Sequence, residues 1–476
     1  MSVVSLKFVL IVLGSLGLFY LINPRYRSVF LALLSVLFIA TYTYTGLVYV
    51  VIFSLFNYCF GLLLSRNKSV KAVFRTGIAV NILQLILLRY ASFAIDPFIH
   101  LLNNDINFTR IAEVIGPLGI SYFTLQGIGY LINVKMGWEK SERNFVDFLL
   151  YIIYFPKFLS GPVERSNHFL PQIKAPLTFD TSQVTEGMKL ALIGFFKKVA
   201  IANQLAPYAL SVYDFEHAGG SISWILFIIQ PLYLYFDFSG YTDIALGVSK
   251  MFGINLLPNF QRPFFAENVS TFWKRFHMSL SSWFNDYIFR QVSFRYRKWG
   301  VYASVYAVFI TWILFGIWHG AGWNFMLIGF LQALAIIYEF FTKKIRSKLF
   351  SNIPSVIRVW FGRMVTYLFY CLSLVFFFTP DVKSGIGFLN NLAAMSGPSP
   401  FNDISVKPFQ VLIYIPLVLF LELLKNDYPE TGRRLERIWF ADNRYGRLLR
   451  WSFYSLMITI IYISGFKSQQ FVYANF

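Results

Sequence analysis

The chain has 476 residues, of which 57% are hydrophobic and 14% charged, and its formal net charge is +19. Soluble chains carry about a quarter charged residues, so this composition, with a mean hydropathy of +0.56, argues against a soluble globular protein. It predicts one integral membrane domain over residues 1–476. The basic residues lie in short loops between apolar runs, which fits a positive-inside bias and anionic lipid rather than nucleic acid. Cys59 and Cys371 both fall within apolar runs, so neither a disulfide framework nor a metal-ligand spacing is expected.

In chain order the apolar blocks cover roughly 5–22, 28–45, 46–64, 74–95, 114–134, 145–161, 186–212, 222–252, 301–318, 322–342, 364–380, 408–425 and 451–466. A helix needs about 20 apolar residues to span the hydrocarbon, so about eleven to thirteen membrane segments are expected, some re-entrant. The first block lacks a basic leader and a small-residue cleavage site, and reads as a span rather than a signal peptide. Basic clusters follow or precede alternate blocks: Arg25 and Arg27; Arg66, Lys68, Lys71 and Arg75; Lys343, Lys344, Arg346 and Lys348; Arg433 through Arg450. The intervening loops 96–109 and 381–407 are poor in Lys and Arg. This asymmetry predicts a multi-pass protein of the cytoplasmic membrane with both termini outside the cytoplasm.

Two carboxylates, Asp237 and Asp243, sit in the apolar run Tyr233-Leu-Tyr-Phe-Asp-Phe-Ser-Gly-Tyr-Thr-Asp243. Intramembrane carboxylates face the bundle interior and pair with a partner. They are candidates for lining a pocket, or for helix packing beside the small residues Ser239 and Gly240.

Residues 268–299 form the most polar stretch of the middle of the chain. Read as a helix, Trp273, Phe276, Leu280, Trp283, Phe284 and Tyr287 recur at i+3 and i+4, with Lys274 and Arg275 elsewhere on the wheel. An amphipathic or re-entrant helix on the cytoplasmic side is expected. His277 falls on its aromatic face, and Lys274 and Arg275 are candidate contacts for an anionic donor.

The run Phe315-Gly-Ile-Trp-His-Gly-Ala-Gly-Trp-Asn-Phe325 follows. An ionisable side chain at membrane depth is expensive, so His319 is a functional candidate, with Trp318 and Asn324 beside it. The flanking basic clusters place this turn away from the cytoplasm. No G-x-S-x-G elbow, cysteine–histidine pair or H-E-x-x-H motif accompanies it. A base without its own nucleophile suits direct group transfer. A transporter with a histidine proton relay is the alternative of another class, although no inverted repeat is visible.

At these motifs the sequence resembles the membrane-bound O-acyltransferase family. The match is to the bacterial branch that includes alginate O-acetylation and teichoic acid D-alanylation proteins. Four stretches carry the resemblance: Pro117–Gln126, Phe155–Arg165, Tyr235–Asp243 and Phe272–Trp283. The Trp318-His319-Gly320 motif follows them, and together they cover about residues 115–335. The resemblance implies an all-α polytopic fold, a ring of membrane segments around a central pore. It implies that His319 is the catalytic histidine and that His277 matches a second family position, Asn or Asp in many eukaryotic members. It implies an acyl thioester co-substrate, acetyl-CoA or an acyl carrier protein, and no bound cofactor. The acceptor would be a polysaccharide, commonly reached through an extracytoplasmic SGNH-type acyltransferase partner. The Phe-His-Met-Ser-Leu-Ser run leans toward D-alanyl transfer, whereas the length, the spans after 360 and the aromatic tail lean toward O-acetylation, which is the favoured reading. Tyr473 in that tail is a candidate for partner docking or transient acylation.

Overall fold

The computed structural model describes residues 3–66, 70–90, 93, 95, 119–159, 161–211, 220–394, 409–439 and 443–465. His100, His217 and Tyr473 lie outside the described residues. The elements are helical, and among the described residues the only strand-like feature is an isolated bridge between Phe260 and Phe276. The chain is an all-α membrane protein.

The helices used below are, in chain order, α1 (Leu6–Leu21), α2 (Arg27–Ala40), α3 (Tyr44–Arg66), α4 (Val70–Leu88), α5 (Ile120–Met136), α6 (Phe145–Ile153), α7 (Ser166–Lys174) and α8 (Thr181–Phe195). They continue with α9 (Asn203–Ser211), α10 (Gly220–Met251), α11 (Val269–Trp273), α12 (Met278–Phe284), α13 (Arg290–Arg295), α14 (Val301–His319), α15 (Trp323–Leu349), α16 (Ser355–Phe378) and α17 (Phe409–Asp427). Of these, α3, α4, α14, α15 and α16 are long and apolar enough to cross a membrane. Their outward faces carry exposed apolar side chains, as Ile52, Leu83, Leu314, Phe340 and Leu372 do on α3, α4, α14, α15 and α16, because lipid rather than water is their solvent.

Two apolar blocks depart from a simple span. The block 145–161 yields a nine-residue helix, α6, about 13 Å long and too short to cross alone. Pro156 and Pro162 disfavour helix in the stretch that follows, because proline has no N–H to donate and restricts the residue before it. The block 186–212 is interrupted between α8 and α9 by a π-helical turn, Phe196–Ala202.

The stretch 268–299 is not the single amphipathic helix expected. It breaks into α11, α12, a π turn at Asn285–Phe289 and α13. The break falls at His277, whose φ of 48° is left-handed. Tertiary pairing overrides the helical pattern here: Gln261 N–H donates to the Arg275 carbonyl at 2.9 Å and Met278 N–H to the Asn259 carbonyl at 2.9 Å. Ser279 Oγ also donates to Asn259 Oδ1 at 2.5 Å.

α14 and α15 form a tight hairpin. A Cβ on Gly316 would collide with the Phe325 carbonyl, and one on Gly329 with the Trp312 carbonyl. Small residues let these backbones approach, as is general for helices packed in lipid.

Candidate functional site

His319 is the last residue of α14 and is 5% exposed. Its ring sits among Phe315 (centroids 4.8 Å apart), Trp318 (4.9 Å) and Phe377 (5.6 Å). It lines a narrow cavity of about 30 Å³ with Trp273, Phe315, Gln332, Tyr370 and Phe377. That is room for a water or two. The polar wall of the cavity is a chain of hydrogen bonds: Trp273 Nε1 donates to Gln332 Oε1 at 2.9 Å, and Gln332 Nε2 donates to Ser373 Oγ at 2.9 Å.

Trp318 lies between the two histidines. Its ring is 4.9 Å from His319 and 6.1 Å from His277, and its indole N–H donates to the Ser121 carbonyl at 3.4 Å. His277 is fully buried, with Phe238 edge-on at 4.7 Å and Tyr122 stacked at 6.4 Å. A non-glycine residue in the left-handed region is uncommon, though histidine is among the types that enter it. Such strain persists only where the surroundings over-determine it, and the contacts to Asn259 and Phe260 do so here.

The structure thus brings together His319, Trp318, His277 and Trp273. The other sequence candidates go elsewhere. Lys274 is exposed, and Arg275 donates to Asn426 Oδ1 on α17 at 3.2 Å. Neither lines the His319 cavity. Asp237 is buried in an ion pair with Lys198, and Asp243 pairs with Lys197 at 2.8 Å. Both lysines belong to the π turn. These pairs join that turn to α10, and a Cβ on Gly240 would meet the Gly194 carbonyl at 2.9 Å. The arrangement is helix packing of the kind small residues permit. Asn324 Nδ2 donates to the carbonyls of Phe376 (3.0 Å) and Thr379 (2.8 Å), tying α15 to the end of α16.

Sequence reasoning missed Arg89 and Tyr90. They follow α4 and reach across to the end of α14: Arg89 Nη2 donates to the His319 carbonyl at 3.0 Å and Tyr90 Oη to the Trp318 carbonyl at 3.4 Å. The last carbonyls of a helix lack intrahelical donors, so this is where a cation and a hydroxyl serve best. The available signal was a guanidinium inside the apolar block 74–95, which is itself costly in lipid.

A helical membrane domain with a buried aromatic–histidine pair at a span terminus is the class that fold and site define. The sequence model of the membrane-bound O-acyltransferase family matches residues 138–379, about half the chain and including both histidines. The chain belongs to that family. It is 31% identical to the probable alginate O-acetylase of Azotobacter vinelandii, over 66% of this chain and 63% of the relative. It is 28% identical to the peptidoglycan O-acetyltransferase of Helicobacter pylori, over 82% and 79%. It is 31% identical to the teichoic acid D-alanyltransferase of Bacillus subtilis, over 56% and 69%. The match thus spans somewhat less than two thirds of the alginate-type relative.

Proposed function

We propose that the protein is an acyltransferase that moves an acyl group, acetyl in the favoured reading, from a cytoplasmic thioester to an acceptor outside the cytoplasm. The acceptor is a cell-envelope polysaccharide, or an extracytoplasmic SGNH-type partner that completes the transfer. The observation that carries this reading is the position of His319: a buried imidazole at the end of a membrane span, held by its neighbours and opening on a cavity. The named activities of the relatives, O-acetylation of alginate and peptidoglycan, support the acetyl group.

In this reading the His319 imidazole takes the proton of an acceptor hydroxyl. The oxygen attacks the thioester carbonyl, the C–O bond forms, the C–S bond breaks, and the leaving thiolate receives the proton from the imidazolium. His277, across Trp318, orders the same aromatic wall. Trp273 shapes the cavity opposite. The charge asymmetry of the loops supports a donor side at 268–299 and an acceptor side at the His319 turn.

The resemblance to the teichoic acid D-alanyltransferase supports D-alanyl transfer from a carrier protein as the second reading. Mass spectrometry of envelope glycans from a deletion strain, complemented with wild type or His319→Ala, tests the proposal. Acylated glycan restored by wild type and absent with His319→Ala is the expected result. Wild-type acylation by the variant overturns it. Substrate flux without acylated product, altered in pH dependence by the substitution, would instead assign a transporter.

A further inference from the structure

Two helical stripes border the His319 cavity and continue past it. On α10, Phe238 lies edge-on to His277 at 4.7 Å, Leu234 lines the cavity, and Gln230 comes one turn further. On α15, Gln332 and Ile328 line the cavity, and Asn324 comes one turn further. Residues four apart share a helix face, and one turn is about 6 Å of rise. The contacts fix the direction of both stripes. Phe238 meets His277, and Gln332 accepts from Trp273, both in the 268–299 stretch. At the other end, a Cβ on Gly322 in the turn after His319 would collide with Asn324 Oδ1. Gln230 and Asn324 therefore lie beyond the cavity, on the side away from 268–299.

Both residues are buried amides with hydrogen-bonding capacity that the fold does not use. Gln230 is fully buried, and neither its Oε1 nor its Nε2 makes a hydrogen bond to a described residue. Asn324 is anchored to α16 through Nδ2, but its buried Oδ1 accepts from no described residue. Pro231 follows Gln230 inside α10 and has no N–H, so the Phe227 carbonyl loses its helical donor. A buried amide without partners costs stability. Gln332 makes the contrast: both ends of its amide are engaged, with Trp273 and with Ser373.

The chemistry of these groups selects a ligand. A carboxamide donates from its nitrogen and accepts at its oxygen. A hydroxyl needs both, an acceptor for its proton and a donor for its oxygen. An acyl chain would use neither, and an anion would leave both amide oxygens unpaired. In the acyl-transfer reading, the side away from 268–299 is also the side from which the hydroxyl reaches His319.

We propose that Gln230 is an acceptor-binding residue, whose amide, together with Asn324 Oδ1, holds the acceptor hydroxyl beside the His319 cavity and presents it to the imidazole. The inference rests on the acyl-transfer reading and adds to it a residue that selects for a hydroxylated acceptor. The unpartnered amide lowers the stability of the resting protein, and the bound hydroxyl supplies the missing hydrogen bonds.

The test sets stability against transfer in Gln230→Met and Gln230→Asn. A deletion strain is complemented with each variant, and acylated envelope glycan is measured by mass spectrometry. Acylated envelope protein in the same samples distinguishes a glycan hydroxyl from one carried by a protein. Unfolding midpoints are measured on the purified full chains in detergent. Methionine fills nearly the same volume without the unpartnered amide, so Gln230→Met is expected to unfold at or above the wild-type temperature while acylation falls about tenfold or more. Gln230→Asn keeps an amide but leaves a gap, so it should unfold below wild type and yet acylate better than Gln230→Met. A purely structural glutamine would rank the three proteins alike in both measurements, and that result overturns the proposal. So does wild-type acylation by folded Gln230→Met. If wild type itself restores no acylation, the acyl-transfer reading fails first and takes this inference with it.

Discussion

Arg89 Nη2 donates to the main-chain carbonyl of His319 at 3.0 Å, joining residues 230 positions apart. With Tyr90 on the preceding carbonyl, the end of α4 holds the last turn of α14 in place. The imidazole is therefore positioned by its backbone as well as by its ring contacts.

This clamp predicts a kinetic signature for Arg89→Ala. A hydrogen bond from a charged donor is worth about 1.5–3 kcal/mol, so kcat for acyl transfer should fall about ten- to a hundredfold. KM for the donor should change less than kcat, because the guanidinium acts on the backbone of His319. Arg89→Lys should recover part of kcat by keeping a cation at the helix end. Equal losses in kcat and in folded protein would reduce Arg89 to a packing residue.

His277 combines left-handed backbone with full burial. His277→Ala loses the contacts with Phe238 and Tyr122 and keeps the unfavourable backbone, so it should cost about 2–4 kcal/mol. His277→Asn should cost less, since asparagine tolerates this conformation and retains hydrogen-bonding groups. Unfolding midpoints in detergent, with transfer measured on the same samples, should rank wild type, Asn, then Ala. The reverse order for Asn and Ala would show that packing and backbone strain do not control this position.

The buried Lys198–Asp237 pair is 2% and 1% exposed at its side chains. Asp237→Ala strands an ammonium in the bundle and should destabilise by about 3–5 kcal/mol. Replacing both residues, Lys198→Met with Asp237→Leu, should restore most of the loss, because an apolar pair avoids the desolvation cost. The comparison is read as expression and unfolding midpoint. A double variant as unstable as the single one would point to a requirement for charge beyond packing.

Glu139 lies in the loop after α5 and accepts from Ser166 Oγ. Burial pushes its carboxyl up to about 7, against the hydrogen bonds from Ser166 and Asn133. Glu142 adds repulsion and is itself paired with Lys174. The folded state thus binds a proton that the unfolded state, near 4.5, releases earlier. Stability from this group falls as pH rises from about 4.5 to about 7, by about 3 kcal/mol, and then levels off. Glu139→Gln should raise the unfolding midpoint at pH 8 and leave it unchanged near pH 4.5. An equal gain at both pH values would remove ionisation as the cause.

Several features were legible along the chain. Most of the apolar blocks became helices among the described residues, and α14 ends at the histidine that the Trp318-His319-Gly320 motif singles out. These properties are local: a run of twenty apolar residues forms a helix in lipid whatever its neighbours do, because its backbone must satisfy its own hydrogen bonds. The small residue Gly240 likewise marked a close helix contact before any partner was known.

The stretch 268–299 shows where local pattern stops. Its periodicity describes one amphipathic helix, but pairing of Gln261 with Arg275 and of Asn259 with Met278 breaks that helix at His277. Lys274 and Arg275 consequently take positions that the helical wheel did not describe, Lys274 exposed and Arg275 on Asn426. Asp237 and Asp243 were recognisable as costly carboxylates, yet only packing against the π turn supplied Lys198 and Lys197 as their partners.

The sequence by itself determined a helical membrane domain, its basic loops and an ionisable group at the end of an apolar run, since each follows from residue type and short-range period. Tertiary structure decided what surrounds that group: Trp318 between two histidines and Arg89 on the His319 carbonyl. Those relations join residues far apart in the chain, and only the packing of helices against one another sets such distances.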